Sequence, residues 1–331
     1  MGLTLCVVGC GQHAKTIAKA IRSSDLWGRE DGVELFFASR DREKASAYCR
    51  MFNATDFFAS YEEAASDQRV QALYVCTPNH LHLEHTLLAT RFRKHVLVEK
   101  PMARTLEEAE HMIAAARDAG VQLMVAENYR YIPVVQKCSE LITEGTIGAL
   151  RLIQIQEETD FAFDGWRNNS EIMGGGVFID GGIHTVDVLI NLGGMPKEVY
   201  AVKLPQALQG LEGEDGIVMM AQLKGGATGL INYSWGISKR DWKLWVAISG
   251  SRGRIYFEPS TSTLTVETGE GRTTSKYPED RWGFVRMVRD FKDSVEKNRP
   301  SLTSGQEGLR DLQVVLKAYD SAERGVPLAL E

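Results

Sequence analysis

LTLCVVGCGQHA, residues 3–14, joins a short apolar run to a glycine turn, and a helical pattern follows through Ile17 and Ile21. A strand, a glycine turn and a helix start in this order form the dinucleotide-binding fingerprint GxGxxG/A, with Ala14 at its third small position. The turn needs glycine dihedrals, and the helix start offers unpaired N–H groups and a partial positive charge to a pyrophosphate. We therefore expect a Rossmann-type domain whose cofactor contacts include Gly9, Cys10, Gly11, Gln12 and His13.

Apolar strands alternate with helical patterns as far as residue 126. Strands are expected at residues 34–38, 72–76, 95–98 and 121–126, with a strong helix at 106–119. Such alternation is typical of a doubly wound parallel sheet with helices on both faces. We therefore predict an α/β dinucleotide-binding domain over residues 1–126.

The pattern of apolar and polar residues changes after residue 126. Apolar and polar residues then alternate in runs at 152–156, 217–223, 227–235, 242–249 and 255–257, and helical patterns close the chain at 282–296 and 306–322. Alternation at period two is typical of antiparallel strands with one buried and one wetter face. We predict an α+β domain over residues 127–331 with a large open, mainly antiparallel sheet. Aromatic and aliphatic residues on its wetter face favour a homodimer or homotetramer formed through this sheet.

Composition narrows the classes of partner. The chain has 331 residues, 44% of them hydrophobic, and a net charge of −6 that provides no general attraction to nucleic acid or an anionic membrane. Its apolar runs are shorter than the ~20 residues that cross a bilayer. Five widely spaced cysteines without a CxxC pair favour free thiols in a reducing compartment, and no signal-peptide pattern opens the chain. We expect a cytoplasmic protein that binds neither nucleic acid nor membrane.

The end of the second predicted strand bears on the choice of cofactor. NAD-preferring sites usually place an acidic residue there for the ribose 2′-hydroxyl, whereas arginine favours the 2′-phosphate of NADP. Here Ser39 takes the acidic position and Arg40 follows it. We predict a preference for NADP. NAD stays possible, because a shift of one residue would bring Asp41 to the ribose.

Two further strand ends carry polar groups. Thr77, Pro78 and Asn79 follow the strand at 72–76, at the edge where open α/β sheets bind ligands. Of the nearby histidines only His82 and His85 have helical metal-ligand spacing, and apart from Glu84 no cysteine or acidic cluster completes a set, so we predict no metal site. Glu99, Lys100 and Pro101 follow the strand at 95–98. A lysine at a strand exit, with a stiffening proline behind it, is a candidate catalytic group.

The segment GGGVFIDGGIHTVD, residues 174–187, is a second candidate for catalysis. Three glycines, which permit close approach, precede an expected amphipathic helix in which Asp180 and His184 are four residues apart and share a face, with Asp187 beside them. Taken alone, the segment fits equally well a buried helix whose histidine is only hydrogen-bonded. The glycine turn and Lys100 in the same chain favour an acid/base site.

These motifs together resemble the Gfo/Idh/MocA family, the glucose-fructose oxidoreductase and inositol dehydrogenase group. The resemblance rests on VGCG at 8–11, CTPNHLH at 76–82, HVLVEKP at 95–101, and the glycine run with Asp180, Gly182, His184 and Asp187. It implies a Rossmann domain followed by an open antiparallel sheet, with Lys100, Asp180 and His184 facing the substrate beside the nicotinamide. It also implies cofactor contacts from Asn79, His82, Glu99, Asn128, Trp166 and Arg167, and substrate contacts from Tyr129 and Arg130. For Trp166, ordinary packing is an equal alternative.

The residue types suggest the chemistry. Histidine titrates near neutrality, so His184 is the expected general acid/base, oriented by Asp187 or by Asp180. Lys100 would hydrogen-bond the reacting oxygen and stabilise its developing charge, and Asp180 would bind a neighbouring hydroxyl or tune Lys100. The sequence leaves open an exchange of the proton-transfer role between Lys100 and His184.

The function expected from this chemistry is an NADP-dependent oxidoreductase. It would move a hydride between nicotinamide and a carbinol or ketone of a sugar, a sugar derivative or a cyclic polyol. One alternative is redox-assisted cleavage of glycosides with tightly bound NAD(P). Another, which has no use for a complete Lys/Asp/His set, is a noncatalytic cofactor-sensing regulator.

Overall fold

The computed structural model describes residues 2–159, 165–237 and 243–330, and for residues 243 and 244 only the backbone. The chain forms two compact units, Met1–Glu127 with Phe284–Leu309, and Asn128–Gly283 with Arg310–Glu331. The first division lies one residue from the predicted boundary. The second differs from the prediction, which assigned all of residues 127–331 to one domain.

The first unit contains a six-stranded parallel sheet in the order β3-β2-β1-β4-β5-β6. Its elements up to residue 125 are β1 (Leu3–Val8), α1 (Gln12–Arg22), β2 (Val33–Ala38), α2 (Arg42–Phe52), β3 (Asp56–Phe58), α3 (Tyr61–Ser66), β4 (Ala72–Val75), α4 (His82–Arg91), β5 (His95–Val98), α5 (Leu106–Ala119) and β6 (Leu123–Val125). The doubly wound sheet is confirmed. The three-residue strand β3 was not predicted, because so short a run carries no readable alternation.

The second unit contains a nine-stranded sheet in the order β14-β13-β12-β11-β7-β10-β9-β8-β15. The remaining elements of the chain are α6 (Pro133–Thr143), β7 (Leu150–Glu158), α7 (Ser170–Met173), α8 (Ile183–Gly193), β8 (Pro196–Lys203), β9 (Gly216–Leu223), β10 (Thr228–Ser234), β11 (Lys243–Gly250), β12 (Gly253–Glu258), β13 (Thr263–Thr268), β14 (Gly271–Lys276), α9 (Phe284–Lys297), α10 (Gly305–Arg324) and β15 (Leu328–Ala329). Among the described residues of this sheet, only β7 and β10 pair in parallel, so the predicted open, mainly antiparallel sheet is confirmed. Trp242, the predicted start of β11, lies outside the described residues.

Helix α9 packs with the first unit. Arg289 on α9 forms an ion pair with Asp25 at 2.5 Å. Further along, the amide of Val125 donates to the carbonyl of Thr303 at 2.7 Å, and Met124 forms an antiparallel bridge with Ser304. The helical period of this segment predicts a helix but does not specify its packing partner. This explains why the sequence prediction assigned the segment to the second domain.

Helix α8 lies against the nine-stranded sheet. A Cβ on Gly229 of β10 would lie 2.7 Å from the Leu189 side chain, and one on Gly193 would lie 2.4 Å from Leu223. The stretch Ser170–Gly193 is long and apolar enough to pass for a membrane span by composition, but 83% of its most apolar window is buried inside the protein. Packing on the sheet accounts for its apolar character.

The segment before α8 corrects one expectation. Phe178–Gly182 is a π-helical turn, and the α-helix begins only at Ile183. Asp180 and His184 therefore do not share one regular helix, and the predicted α-helical spacing between them is wrong. Glycine allows this turn to pack closely, since a Cβ on Gly181 would lie 1.8 Å from the Tyr233 hydroxyl. Single π-turns of this kind occur frequently at functional sites.

Candidate active site

The glycine turn after β1 meets the requirements of a pyrophosphate site. Gly9 has a φ of +98°, and a Cβ there would lie 2.8 Å from the Cys76 carbonyl oxygen. Gly11 is the N-cap of α1, where no side chain of the described residues caps the helix, and the space around its missing Cβ is open to 4 Å. The Tyr48 hydroxyl donates to the Gly11 carbonyl at 3.1 Å and steadies the turn. The first amides of α1 are thus positioned for an anionic group, as a dinucleotide requires.

Strand β2 ends in the three residues that the cofactor prediction used. Ser39 is buried, and its Oγ accepts from the Asp41 amide at 3.1 Å. Asp41 is the N-cap of α2 and accepts from the Lys44 amide at 3.0 Å. Arg40 lies exposed between them. The Asp41 carboxylate is thus engaged by its own helix, while the Arg40 guanidinium is accessible to a ligand.

His82 lies inside the first unit and holds two loops together. It is fully buried, with Nδ1 2.9 Å from the Pro101 carbonyl oxygen and Nε2 2.8 Å from the Thr77 carbonyl oxygen. Burial lowers the pKa of His82. Both ring nitrogens thus lie beside carbonyl groups, and His82 joins the loop after β4 to the loop that carries Lys100. The expected contact of His82 with the cofactor stays a prediction.

The loop after β5 carries the first candidate catalytic group. Lys100 is buried, and its peptide bond to Pro101 is cis. Glu99 accepts a hydrogen bond from the buried Tyr74 hydroxyl, and its Oε1 lies 3.8 Å from Nδ1 of His13 on α1. The structure thus brings Glu99 and His13, two predicted cofactor contacts, side by side. Asn79, in the neighbouring loop, is also buried.

In the second unit, the short helical turn Asn128–Tyr131 holds α8 in place. Arg130 Nε donates to both oxygens of the fully buried Asp187 carboxylate, at 3.1 and 3.0 Å, and an Nη also contacts it. The Tyr129 ring stacks on the His184 imidazole at 4.2 Å between centroids, with 10° between the planes. The carboxylate expected to orient His184 is therefore paired with arginine, and an aromatic ring covers one face of the imidazole. Arg130, expected to bind substrate, has its guanidinium on Asp187.

Asp180 also has an arginine partner. Arg167 Nε donates to the Asp180 carboxylate at 2.9 Å, and the Arg167 guanidinium lies over the Trp166 ring at 4.4 Å. Of the Trp166–Arg167 pair, which was expected at the cofactor, Arg167 therefore contacts the predicted catalytic carboxylate. Asn128, the other expected cofactor contact in this unit, donates from Nδ2 to the Trp282 carbonyl at 2.8 Å.

Several residues around Tyr129 and the π-turn were missed by sequence reasoning. Glu157 is buried on β7 and accepts from the Tyr129 hydroxyl at 3.3 Å. The indole of Trp235 donates to the Tyr233 hydroxyl at 2.6 Å, and the Trp282 ring stacks near Tyr129 at 6.4 Å. The sequence carried a signal for Glu157. This residue lies at a position of β7 where the alternation predicts a buried, apolar side chain. Among the described residues, no group of three or more His, Cys, Asp or Glu is placed to hold a metal ion.

Two protein-family models match this chain, one in its N-terminal part and one in its C-terminal part. Residues 3–127 match an oxidoreductase family with an NAD-binding Rossmann fold. Residues 135–256 match the Gfo/Idh/MocA C-terminal domain. Both motif-bearing parts of the chain therefore match models of one family.

Relatives cover nearly the whole chain. The 1,5-anhydro-D-fructose reductase of Ensifer adhaerens is 29% identical over 310 residues, 91% of this chain and 92% of the relative. The myo-inositol 2-dehydrogenase of Thermotoga maritima is 27% identical over 285 residues, 81% of this chain and 82% of the relative. Among solved structures, the aldose-aldose oxidoreductase of Caulobacter crescentus complexed with glycerol superposes with a TM-score of 0.89 at 25% identity, covering 100% of both chains. The chain belongs to the Gfo/Idh/MocA family of oxidoreductases.

Proposed function

We propose that this chain is an NADP-dependent oxidoreductase acting on a carbinol or ketone of a sugar, a sugar derivative or a cyclic polyol. The observation that carries the proposal is the His184 imidazole, buried and stacked on Tyr129 at 4.2 Å. Stacking fixes the ring plane, and an imidazole can accept or donate a proton near neutral pH. The relatives named above are a reductase of an anhydro-sugar and a dehydrogenase of a cyclic polyol, which supports this substrate class.

The proposed chemistry divides between three side chains. The nicotinamide, when bound, supplies the site that accepts or donates the hydride. His184 takes the proton from the substrate hydroxyl during oxidation and returns it during reduction. Lys100 donates a hydrogen bond to the reacting oxygen and stabilises its negative charge. Asp180, held by Arg167 at 2.9 Å, accepts from a neighbouring substrate hydroxyl.

NADP is proposed as the cofactor, with NAD the alternative. The exposed Arg40 and the engagement of Asp41 as a helix cap support NADP, because a phosphate is attracted by the guanidinium. Two further proposals carry over from the sequence. The nine-stranded sheet forms a homo-oligomer, and the protein is cytoplasmic, which is supported by its five free cysteines.

Replacement of the catalytic groups tests the proposal. A screen of sugars, inositols and keto-sugars with NADP+ or NADPH first identifies a substrate. Lys100→Ala and His184→Ala should then each lower kcat by a factor of roughly 10² to 10⁴ and still bind NADPH. Lys19→Ala and His111→Ala make the same changes at exposed helix positions and should keep full activity. Near-normal turnover in both catalytic variants would refute the assignment.

The same assays separate the two alternative functions. Redox-assisted glycoside cleavage would consume substrate without a net change in nicotinamide absorbance, because the cofactor is regenerated in each cycle. A regulator would bind the cofactor and turn over no substrate. An oxidoreductase converts one nicotinamide for each substrate molecule, which is the result we expect.

A further inference from the structure

The π-turn that carries Asp180 begins without a cap of its own. The first amides of a helix have no partner within the helix and need an acceptor from elsewhere. Val177 stands at the cap position of Phe178–Gly182 and has no polar side chain. Phe178 and Ile179 are fully buried. An amide left unpaired at such a depth destabilises the fold, so these groups require acceptors from another part of the chain.

Two residues distant in sequence supply those acceptors. The Tyr319 hydroxyl accepts from the amides of Gly176 at 3.2 Å and Ile179 at 3.0 Å. The backbone carbonyl of Glu214 accepts from the Val177 amide at 2.9 Å, and its carboxylate Oε1 accepts from the Phe178 amide at 2.8 Å. Four consecutive amides, 176–179, are therefore satisfied by Glu214 and Tyr319 alone.

The two capping residues are also joined to each other. Tyr319 donates its hydroxyl proton to Oε1 of Glu214 at 2.8 Å, which leaves the hydroxyl oxygen free to accept from the two amides. A carboxylate at the start of a helix is further stabilised by the partial positive charge there. Burial raises the pKa of Glu214, while the Phe178 amide, the Tyr319 hydroxyl and the charge of Lys203 act in the opposite direction.

The glycine run makes room for these residues. A Cβ on Gly176 would lie 2.1 Å from the Glu214 carboxylate and 2.3 Å from its carbonyl oxygen. A Cβ on Gly175 would lie 2.7 Å from the Tyr319 ring. The sequence allowed either a ligand or other backbone to approach these glycines. The structure shows that the group in contact with them is the Glu214–Tyr319 pair.

We propose that Glu214 and Tyr319 are positioning residues, which cap the π-turn from outside and thereby set the placement of Asp180 and His184. Asp180 directly follows the last capped amide, and His184 lies in the first turn of α8. If the cap is lost, the segment can rewind from π to α geometry, which rotates Asp180 away from its Arg167 partner. The effect on turnover rests on the proposed function, whereas the effect on the backbone does not.

Hydrogen–deuterium exchange on the full chain tests the cap without substrate. In Tyr319→Phe, amides 176–183 should exchange about tenfold faster, the change typical of one lost helix cap. Tyr256→Phe removes a hydroxyl that donates to Glu267 on the sheet of the same unit, and it should leave this segment unchanged. Exchange in Tyr319→Phe at the wild-type rate would overturn the proposal.

Glu214 provides a second test that distinguishes an acceptor from mere packing. Glu214→Gln keeps an Oε1 that accepts from Phe178 and Tyr319, so its exchange should stay within about twofold of wild type, and Glu214→Ala should be about tenfold faster. In turnover, Glu214→Ala should lower kcat at least tenfold with the KM for NADPH changed less than twofold, and Glu214→Gln should restore it. Equal exchange in the two variants would refute the capping role. Faster exchange without loss of kcat would refute the positioning role only.

Discussion

His85 illustrates how burial sets the charge of a single residue. Its Nδ1 lies 3.0 Å from the Thr77 hydroxyl, and the Tyr61 ring meets its imidazole edge-on at 4.7 Å. Burial lowers the pKa of His85 to about 4. The folded state therefore favours the neutral imidazole, while the unfolded chain titrates at the ordinary value.

This difference predicts a loss of stability in acid. Because the pKa of His85 is depressed in the folded state, its contribution to the free energy of unfolding is complete above pH ~6.5. This contribution, up to about 3 kcal/mol, is lost as the pH falls towards 4. The free energy of unfolding, measured by urea denaturation between pH 7 and 4.5, should decline less steeply for His85→Gln than for wild type. His111→Gln, a change on the exposed face of α5, should decline like wild type. Equal slopes for all three proteins would contradict the prediction.

At the scale of elements, the proposed preference for NADP rests on the β2–α2 connection. Ser39 ends the strand without a carboxylate, and Asp41 caps α2 with its own side chain at 3.0 Å from the Lys44 amide. A 2′-phosphate at this connection would meet the exposed Arg40 and the positive end of α2. Both favour a charged ligand over a ribose hydroxyl.

Removing the guanidinium should weaken NADP selectively. In Arg40→Ala the KM for NADP should rise roughly tenfold or more through loss of a charge-assisted bond, while the KM for NAD changes little. Ser39→Asp should shift the preference towards NAD. Arg50→Ala, at an exposed position near the end of α2, serves as the matched control. Activity of the wild type with NAD alone would show the cofactor proposal to be wrong.

Element patterns were readable from sequence where they are local. The glycine turn, the strand ends at Thr77 and Lys100, and most strands of the second sheet follow from residue types within a few positions. The π-turn at Phe178–Gly182 was missed because, over so few residues, the spacing of apolar residues does not distinguish an α-helix from a π-helix. Its winding depends on Glu214 and Tyr319, which no local pattern connects to it.

At the scale of the whole molecule, the outer face of the nine-stranded sheet is the candidate interface. Cross-strand pairing aligns Tyr200, Met220 and Leu230 in one row and places Trp245 in the next. Met220 is 51% exposed and Trp245 is 40% exposed. A second copy of the chain on this face would remove these side chains from water, which favours association.

A charge on this face should dissociate the oligomer. We expect light scattering to show a dimer or tetramer for the wild type at micromolar concentration and a smaller species for Met220→Glu, because burying an unpaired carboxylate is costly. Met51→Glu makes the same change at a 58% exposed position on α2 and should leave the assembly intact. A monomeric wild type would exclude the proposed interface.

The sequence by itself determined the doubly wound sheet, the mainly antiparallel sheet, the nucleotide turn and the candidate groups Lys100, Asp180 and His184. These features depend on residue type and short spacing, which local geometry translates directly into structure. Only the tertiary structure decided which side chains and segments contact each other. Arg130 meets Asp187 across 57 positions and Tyr319 meets Ile179 across 140, while helix α9 packs with the first unit. Such contacts result from packing between distant segments, and hydrophobic periodicity encodes which face is buried but not what buries it.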